Sequence, residues 1–170
     1  MTESARIQPK VFCSYSWTNQ EYQNRIIAIA ERLMDASIDV LLDKWDLLEG
    51  ADTHAYMEKC VSDKSVTHVL IFSDSEYTKK ADSRSVGVGK ETLIITPEVY
   101  GHADVTGKEQ RYIPIVMEKD ECGNAFLPVY IKGRYYIDMS VDENFADSFE
   151  QLVRTIYGKP LHKKPKLGKI

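Results

Sequence analysis

A glycine-rich segment, Gly87-Val88-Gly89-Lys90-Glu91-Thr92, lies near the middle of the chain and invites comparison with phosphate-binding motifs. It does not fit a P-loop, because Arg84 stands in place of the first glycine and Glu91 in place of the Ser or Thr that binds magnesium. It does not fit a dinucleotide-binding fingerprint either, because Thr92 replaces the third glycine and no strand directly precedes it. The sequence predicts instead a glycine-rich backbone that other groups can approach closely. It leads into a helix with Glu91 in its first turn.

Other common catalytic and metal-binding patterns are missing from the sequence. There is no Gly-x-Ser-x-Gly elbow, so a hydrolase serine is unsupported. Ser14-Tyr15-Ser16 stands where a receiver domain would carry paired acids. The four histidines (54, 68, 102 and 162) have no zinc spacing, and the three cysteines are odd in number and share no metal-ligand spacing. We therefore predict no metal, no resident cofactor and reduced thiols.

Three polar segments directly follow apolar runs: Ser14 to Trp17, Asp43 to Asp46, and Ser73 to Tyr77. If the runs are parallel strands, their carboxyl ends meet at one edge of a sheet. Ligands of open α/β sheets bind outside that edge, near the point where the strand order reverses. The sequence therefore predicts that these segments share one rim and line a binding crevice.

The elements that would position this rim alternate between apolar runs and amphipathic stretches, which is typical of a βα-repeating sheet. The predicted strands are Val11–Cys13, Asp39–Leu42, His68–Phe72, Tyr112–Met117 and Arg134–Asp138. Pro114 would have to lie where the ladder needs no donor. We predict an α/β fold, a doubly wound sheet of five mostly parallel strands with helices on both faces.

The intervening segments differ in how clearly they predict helices. Thr18 is predicted to cap the first helix. Leu47–Thr53 is predicted to be a loop followed by a short helix. Ser73–Gly89 is polar and predicted to be irregular, whereas Lys90–Ile95 is predicted to be a helix. An apolar stripe at helical spacing over Phe145–Ile156 predicts the last helix.

The order of these segments resembles the Toll/interleukin-1 receptor (TIR) domain family. Lys10–Ser16 resembles its first-strand box, and Asp39–Asp46 its second strand with the strand's exit. Leu70–Ser75 resembles the third strand, and Gly87–Ile95 the helix that carries the family's acidic residue. The resemblance spans roughly residues 8–158 and implies the flavodoxin-like fold. The related SEFIR subgroup has the same arrangement and remains an alternative.

In enzymatic members the resemblance implies cleavage of the nicotinamide–ribose bond of NAD+, by hydrolysis or cyclisation. NAD+ is then a substrate rather than a cofactor. Glu91 matches the position of the catalytic glutamate. Bond cleavage develops oxocarbenium character on the ribose, which a carboxylate stabilises, and nicotinamide leaves as a neutral molecule without a general acid. The alternative is that Glu91 is an ordinary first-turn acid favoured by the helix dipole.

The resemblance also implies roles for residues on the rim. Ser14 and Tyr15 match positions near the nucleotide, although they equally fit a turn that ends a strand. Asp43 and Asp46 are candidates to position the substrate, or else to bind Lys44 or loop amides.

The family's aromatic residue one turn before the glutamate is replaced here by Gly87. Stacking on a base would then fall to Trp45, Tyr77 or Trp17, and packing in the core or a loop is the competing role for Trp45.

Charge is distributed unevenly. Residues 159–170 hold five of the chain's 22 lysines and arginines and none of its 26 acids, so the body is acidic. An acidic body argues against nucleic acid as a partner. We predict an N-terminal extension over 1–9, a TIR domain over 10–158, and a basic linker over 159–170 that joins a downstream sensor domain.

No signal peptide or membrane span is visible in the sequence, which predicts a cytoplasmic location. Two functions are consistent with these expectations. One is an innate immune or antiviral effector whose self-association, through the Leu47–Thr53 loop, switches on NAD+ cleavage. The other is a non-enzymatic adaptor that acts by homotypic TIR–TIR contact.

Overall fold

A computed structural model describes residues 8–83, 94, 95, 97, 111–159 and 161–170. Five strands form one sheet: β1 (Lys10–Tyr15), β2 (Asp39–Leu41), β3 (His68–Ser73), β4 (Tyr112–Val116) and β5 (Ile137–Asp138). Five α-helices accompany them in the described part: α1 (Gln20–Asp35), α2 (Asp43–Asp46), α3 (Thr53–Ser62), α4 (Ser75–Ser83) and α5 (Phe145–Tyr157). Short 3-10 turns cover Val129–Ile131 and Asp142–Asn144.

The strand order is β2-β1-β3-β4-β5, and all four described pairings are parallel. The chain runs outward from β1 to β2 and then crosses back to β3 on the other side of β1. The point of reversal therefore lies between the carboxyl ends of β1 and β3. This topology confirms the predicted flavodoxin-like α/β sheet.

Strand alternation divides the core into two layers. Val11, Cys13 and Tyr15 of β1 join the cluster that holds the buried residues of α1 and α5. Phe12 instead joins the cluster on the opposite face, with buried residues of α3 and α4, including Tyr77. Helices therefore cover both faces of the sheet, as a doubly wound fold requires.

Pro114 is accommodated as predicted. The N–H of Met117 donates to the carbonyl of Ser73 in β3, and the N–H of Met139 donates to the carbonyl of Val116. Alternate residues of β4 therefore face β3 and β5, and Pro114 belongs to the β5 side. Pairing with β5 begins only at Ile115, so the missing proline donor leaves no ladder bond unmade.

Several local predictions were wrong. The first helix is capped by Asn19, whose side chain accepts from the N–H of Tyr22, whereas Thr18 bonds elsewhere. Ser75–Ser83 is a helix rather than an irregular segment. Strand β5 is shorter than the predicted Arg134–Asp138.

The helix predicted over Lys90–Ile95 lies mostly outside the described residues. Ile94 and Ile95 are described; they are buried and have no regular secondary structure. Within the described part of the chain, no helix has the length and apolar character needed to cross a membrane.

Candidate functional site

Polar side chains gather at the carboxyl edge of the sheet, where β1, β2 and β3 end. They form two hydrogen-bonded networks rather than one. The networks lie on opposite faces because consecutive residues of β1, Ser14 and Tyr15, point to opposite sides of the sheet. We call them the Asp43 network and the Tyr77 network.

The Asp43 network joins the end of β1 to the start of α2. Asp43 is 3% exposed. Its Oδ1 accepts a hydrogen bond from the Tyr15 hydroxyl at 2.5 Å, and its Oδ2 accepts one from Trp17 Nε1 at 2.8 Å. Burial, followed by the hydrogen bond to Asp43, raises the pKa of Tyr15, so this hydroxyl stays protonated and donates.

The second carboxylate of α2 fixes the start of that single helical turn. Asp46 Oδ2 accepts the N–H of Leu42 at 2.9 Å, one of the loop-amide contacts considered for it above. Between these two anchored acids, Trp45 is 41% exposed. Leu48, two residues beyond the end of α2, is 71% exposed. The fold thus buries the acid at the head of α2 and displays its aromatic residue.

The Tyr77 network occupies the opposite face. The hydroxyls of Ser14 and Tyr77 are hydrogen-bonded at 2.8 Å, and the N–H of Ile95 donates to the Tyr77 oxygen at 3.0 Å. Tyr130 donates in turn to the carbonyl of Ile95 at 2.5 Å. Burial raises the pKa of Tyr77 to about 12, so this phenol is neutral at physiological pH.

Asp74 links the two loops that flank the point of strand reversal. It precedes α4 and accepts the N–H of Tyr77 at 2.8 Å, which caps the helix. Its other oxygen accepts the Thr18 hydroxyl at 2.5 Å, across from the loop after β1. Burial is the main cause of a raised pKa at Asp74.

A lysine on α4 approaches the same point of reversal. Lys80 Nζ lies 3.4 Å from the Oγ of Ser16, the first residue after β1, which is fully buried. Within the described part of the chain, no carboxylate lies within ion-pair distance of this ammonium group. The Lys80 ammonium group therefore has no ion-pair partner among the described residues, although Asp74 lies at the same point of strand reversal.

The predicted site residues thus fall into three groups. Ser14, Tyr15 and Tyr77 have no exposed surface, and Asp43 has almost none. Trp45 and Asp46 lie on α2 and are exposed. Glu91 and Gly87 lie outside the described residues. The assigned roles of all these residues remain predictions.

Sequence reasoning did not single out Asp74, Ser16 or Lys80. A signal for Asp74 was present, because Tyr77 and Ala81 stand four residues apart as the buried positions of a helix, and Asp is a preferred residue directly before one. Because the rest of this segment is polar, the four-residue spacing of Tyr77 and Ala81 was not recognised as helical. No residue type or spacing marked the approach of Lys80 to Ser16, which depends on how α4 packs.

No group of three or more His, Cys, Asp or Glu side chains able to hold a metal ion occurs among the described residues.

The SEFIR domain family model matches residues 9–150. A crystal structure of a prokaryotic SEFIR domain is 35% identical, with a TM-score of 0.77, and the match covers 94% of this chain and 99% of that one. The TIR domain of the Toll-related receptor TRR-2 from Hydra magnipapillata is 13% identical, with a TM-score of 0.56 and 86% and 96% of the two chains covered. That likeness shows the fold alone. No curated protein matches the chain.

The chain belongs to the SEFIR domain family, a group of TIR-like signalling domains. The predicted resemblance is confirmed at the level of TIR-like domains, and the subgroup kept as an alternative is the one that matches.

Proposed function

We propose that this chain is a signalling domain that acts by homotypic assembly, through a surface formed by Lys44, Trp45 and Leu48. We call this the post-β2 surface. The observation that carries the proposal is the placement of Trp45 and Leu48, which are 41% and 71% exposed on a segment anchored by a buried acid. Aromatic side chains presented on a fixed backbone are typical of interface hot spots.

Two further considerations support this proposal. TIR-like domains act through homotypic contacts, and SEFIR domains are generally non-enzymatic. The turn beyond α2 is also ordered by backbone bonds, since the N–H of Ala51 donates to the carbonyl of Leu48 at 3.0 Å with Gly50 at a positive φ of 88°. A preorganised segment loses little conformational entropy on binding.

Sedimentation velocity over a wide concentration series tests the proposal. We expect the wild type to assemble as concentration rises and Trp45→Ala to stay monomeric. Val141→Ala is the matched control, because Val141 is also 41% exposed but lies outside the post-β2 surface. A wild type that remains monomeric throughout, or a Trp45→Ala variant that assembles normally, would contradict homotypic assembly through this surface.

NAD+ cleavage is a second candidate function, and the placement of Lys80 at the strand reversal supports it. A cation beside Ser16, at the strand reversal where doubly wound sheets bind ligands, favours an anionic group such as a dinucleotide pyrophosphate. In this proposal Glu91 supplies the carboxylate that stabilises the developing positive charge of the ribose. Of the predicted substrate-binding residues, Trp45 and Asp46 are exposed and so are able to touch such a substrate.

Nicotinamide release from NAD+ separates the two candidates, measured on a forced oligomer of the domain. An assembly-activated enzyme should release nicotinamide in the wild type and lose the activity in Glu91→Gln. A pure adaptor should release none in either form while assembling normally in both. Equal release by both proteins would mean that Glu91 does not supply the carboxylate.

The exposed part of residues 159–170 fits the proposed linker to a sensor domain. Such a sensor would raise the local concentration of the domains and so drive their assembly.

A further inference from the structure

A methionine side chain closes the outer edge of β2. In the described sheet β2 is the first strand in order, with β1 as its neighbour. The N–H of Asp39 donates to the carbonyl of Pro9, so Asp39 faces β1 and the next residue, Val40, faces away from it. The outward N–H of Val40 donates to the Sδ of Met34 at 3.3 Å. A thioether on the last turn of α1 therefore occupies the edge of the strand.

The two outward amides of this segment have acceptors of different chemistry. The N–H of Leu42, two residues beyond Val40, donates to the carboxylate of Asp46 at 2.9 Å. The acceptor for Val40 is a thioether, whose sulfur is a weak hydrogen-bond acceptor. Thioether sulfur is also open to oxidation, which a carboxylate oxygen is not. The bond from Val40 to Met34 is therefore the one that an oxidant can change.

Met34 is also accessible to an oxidant in solution. Its side chain is 46% exposed. The other methionines of the described chain are buried, with 3% exposure at Met57, 4% at Met117 and none at Met139. Exposure governs which methionines in a folded protein are oxidised. The fold thus presents the sulfur that closes the β2 edge and shields the other three.

We propose that Met34 is a site of reversible oxidation by peroxides and that its contact with Val40 is an oxidation-sensitive link between α1 and β2. The sulfur attacks one oxygen of hydrogen peroxide, the O–O bond breaks, and an S=O bond forms. The second oxygen leaves as water with both protons. Sulfur loses two electrons and the peroxide gains them. A methionine sulfoxide reductase, with a thiol as electron donor, removes the oxygen again as water.

Oxidation breaks the link whichever lone pair of the sulfur takes the oxygen. The 3.3 Å between Met34 Sδ and the Val40 nitrogen leaves no room for an oxygen atom between them, so addition on that side forces the side chain away. Addition on the other side leaves a sulfur that carries partial positive charge and no longer attracts an N–H. In both cases the Val40 N–H loses its acceptor. Since β2 has three residues, this loss affects a large part of the strand.

This inference goes beyond the proposed assembly, because it concerns a single copy of the domain. Hydrogen exchange of backbone amides, followed by NMR before and after treatment of the folded domain with hydrogen peroxide, tests it. Peptide mass spectrometry locates the added oxygen. We expect Met34 to gain one oxygen at least about tenfold faster than the three buried methionines.

The Val40 amide should then exchange about fivefold faster, because a hydrogen bond of ordinary net strength no longer protects it. Treatment with a methionine sulfoxide reductase and a thiol should remove the oxygen and restore slow exchange. The amide of Cys13, near the middle of β1, should exchange at the same rate throughout, which would establish that the sheet stays folded.

Met34→Leu separates the link from the oxidation. Leucine keeps the apolar volume but offers no acceptor, so the Val40 amide of this variant should exchange rapidly from the start, and peroxide should not change its rate. Met57→Leu is the matched control. It removes a methionine that is 3% exposed, and its Val40 amide should respond to peroxide as that of the wild type does.

Equal oxidation of Met34 and the buried methionines in the folded domain would overturn the oxidation site. Selective oxidation of Met34 with unchanged exchange at Val40 would overturn the link, and so would slow exchange at Val40 in Met34→Leu. Faster exchange at Cys13 as well would mean that oxidation unfolds the domain instead of breaking one contact. These outcomes are separate from the assembly of Trp45→Ala, so the proposed function stands or fails on its own test.

Discussion

Asp43 is a buried acid whose described partners are neutral. Tyr15 and Trp17 each donate to one of its oxygens, and no cation of the described chain lies within ion-pair distance. A buried carboxyl group depends on hydrogen bonds in place of the water it has lost. The two aromatic donors therefore determine whether α2 can stay in place at the end of β1.

Removing either end of this contact should destabilise the domain. Tyr15→Phe leaves Asp43 with one donor fewer, and Asp43→Asn turns an amide N–H₂ toward one of the two donors. Each change should cost about 1–3 kcal/mol of unfolding free energy. In a double-mutant cycle by urea denaturation, the two effects should fall short of additivity by at least about 0.5 kcal/mol.

Additive effects within about 0.3 kcal/mol would mean that the Tyr15–Asp43 hydrogen bond does not stabilise the fold. Trp17→Phe is the matched comparison. It removes the second donor from a partly exposed position and should cost less than Tyr15→Phe.

The sequence placed Ser14, Tyr15 and Asp43 on one rim, and the structure has them there. It did not predict that Ser14 and Tyr15 would bond to separate networks with no exposed surface. Alternation along a strand separates neighbouring side chains, but the partners of each depend on helices that arrive from distant parts of the sequence. Those partners are tertiary information that local pattern does not contain.

At the scale of elements, α1 and α5 end in the same way with different residues. After α1, the N–H of Ser37 donates to Met34 and that of Ile38 to Leu33; after α5, the corresponding donors are Gly158 and Lys159. Both turns place one residue in the left-handed region, at a φ of 64° for Ser37 and 69° for Gly158. Glycine is the usual residue there because a Cβ strains that conformation.

Replacing Ser37 by glycine and Gly158 by serine should change the free energy of unfolding in opposite directions. Ser37→Gly should stabilise the domain by about 0.5 kcal/mol, since relief of backbone strain exceeds the added entropy of the unfolded chain. Gly158→Ser should destabilise it by about 1 kcal/mol through the backbone alone, because a Cβ at Gly158 would meet no atom within 4 Å.

Thermal and urea denaturation would measure both variants. Gly133→Ser is the control, since a Cβ there also meets no atom within 4 Å and Gly133 is not among the positive-φ glycines. Its effect should stay within about 0.5 kcal/mol. Equal effects at Gly133 and Gly158 would contradict the strain argument.

Prediction of the helices from sequence succeeded where the apolar period was strong. The stripe of α5 and the buried face of α1 were visible in the sequence. Helix α4 was missed because it buries Tyr77 and Ala81 alone, within nine mostly polar residues. Its stability comes from the Asp74 cap and from packing on the sheet, neither of which a composition-based reading detects.

At the scale of the whole molecule, the order of apolar runs predicted the five-stranded, mostly parallel, doubly wound sheet, and the family resemblance predicted its flavodoxin-like topology; both are confirmed. Two acids at the polar edge of the sheet have pKa values that are shifted in opposite directions. Asp138 is partly buried, which would raise its pKa, but hydrogen bonds from Lys119 and Ser140 outweigh this and lower it. Burial instead raises the pKa of Asp74.

These two acids should give opposite dependence of stability on pH. A lowered folded pKa stabilises above the unfolded value of about 3.9 and is lost as pH falls, so Asp138→Asn should cost most near neutrality. A raised folded pKa contributes stability that is fully present below the unfolded value and is lost as pH rises through the folded pKa, so Asp74→Asn should cost most in acid. Urea denaturation from pH 3.5 to 7 would measure both, and parallel profiles would contradict the assignment.

The outer strands of the described sheet are brief, three residues in β2 and two in β5. A long exposed strand offers unpaired amides and carbonyls to any neighbouring chain and seeds aggregation through backbone pairing. A domain that acts through homotypic contacts brings many such edges together. Because so little outer strand is exposed, the assembly proposed above would depend on side-chain contacts rather than on backbone pairing, and such contacts can dissociate again.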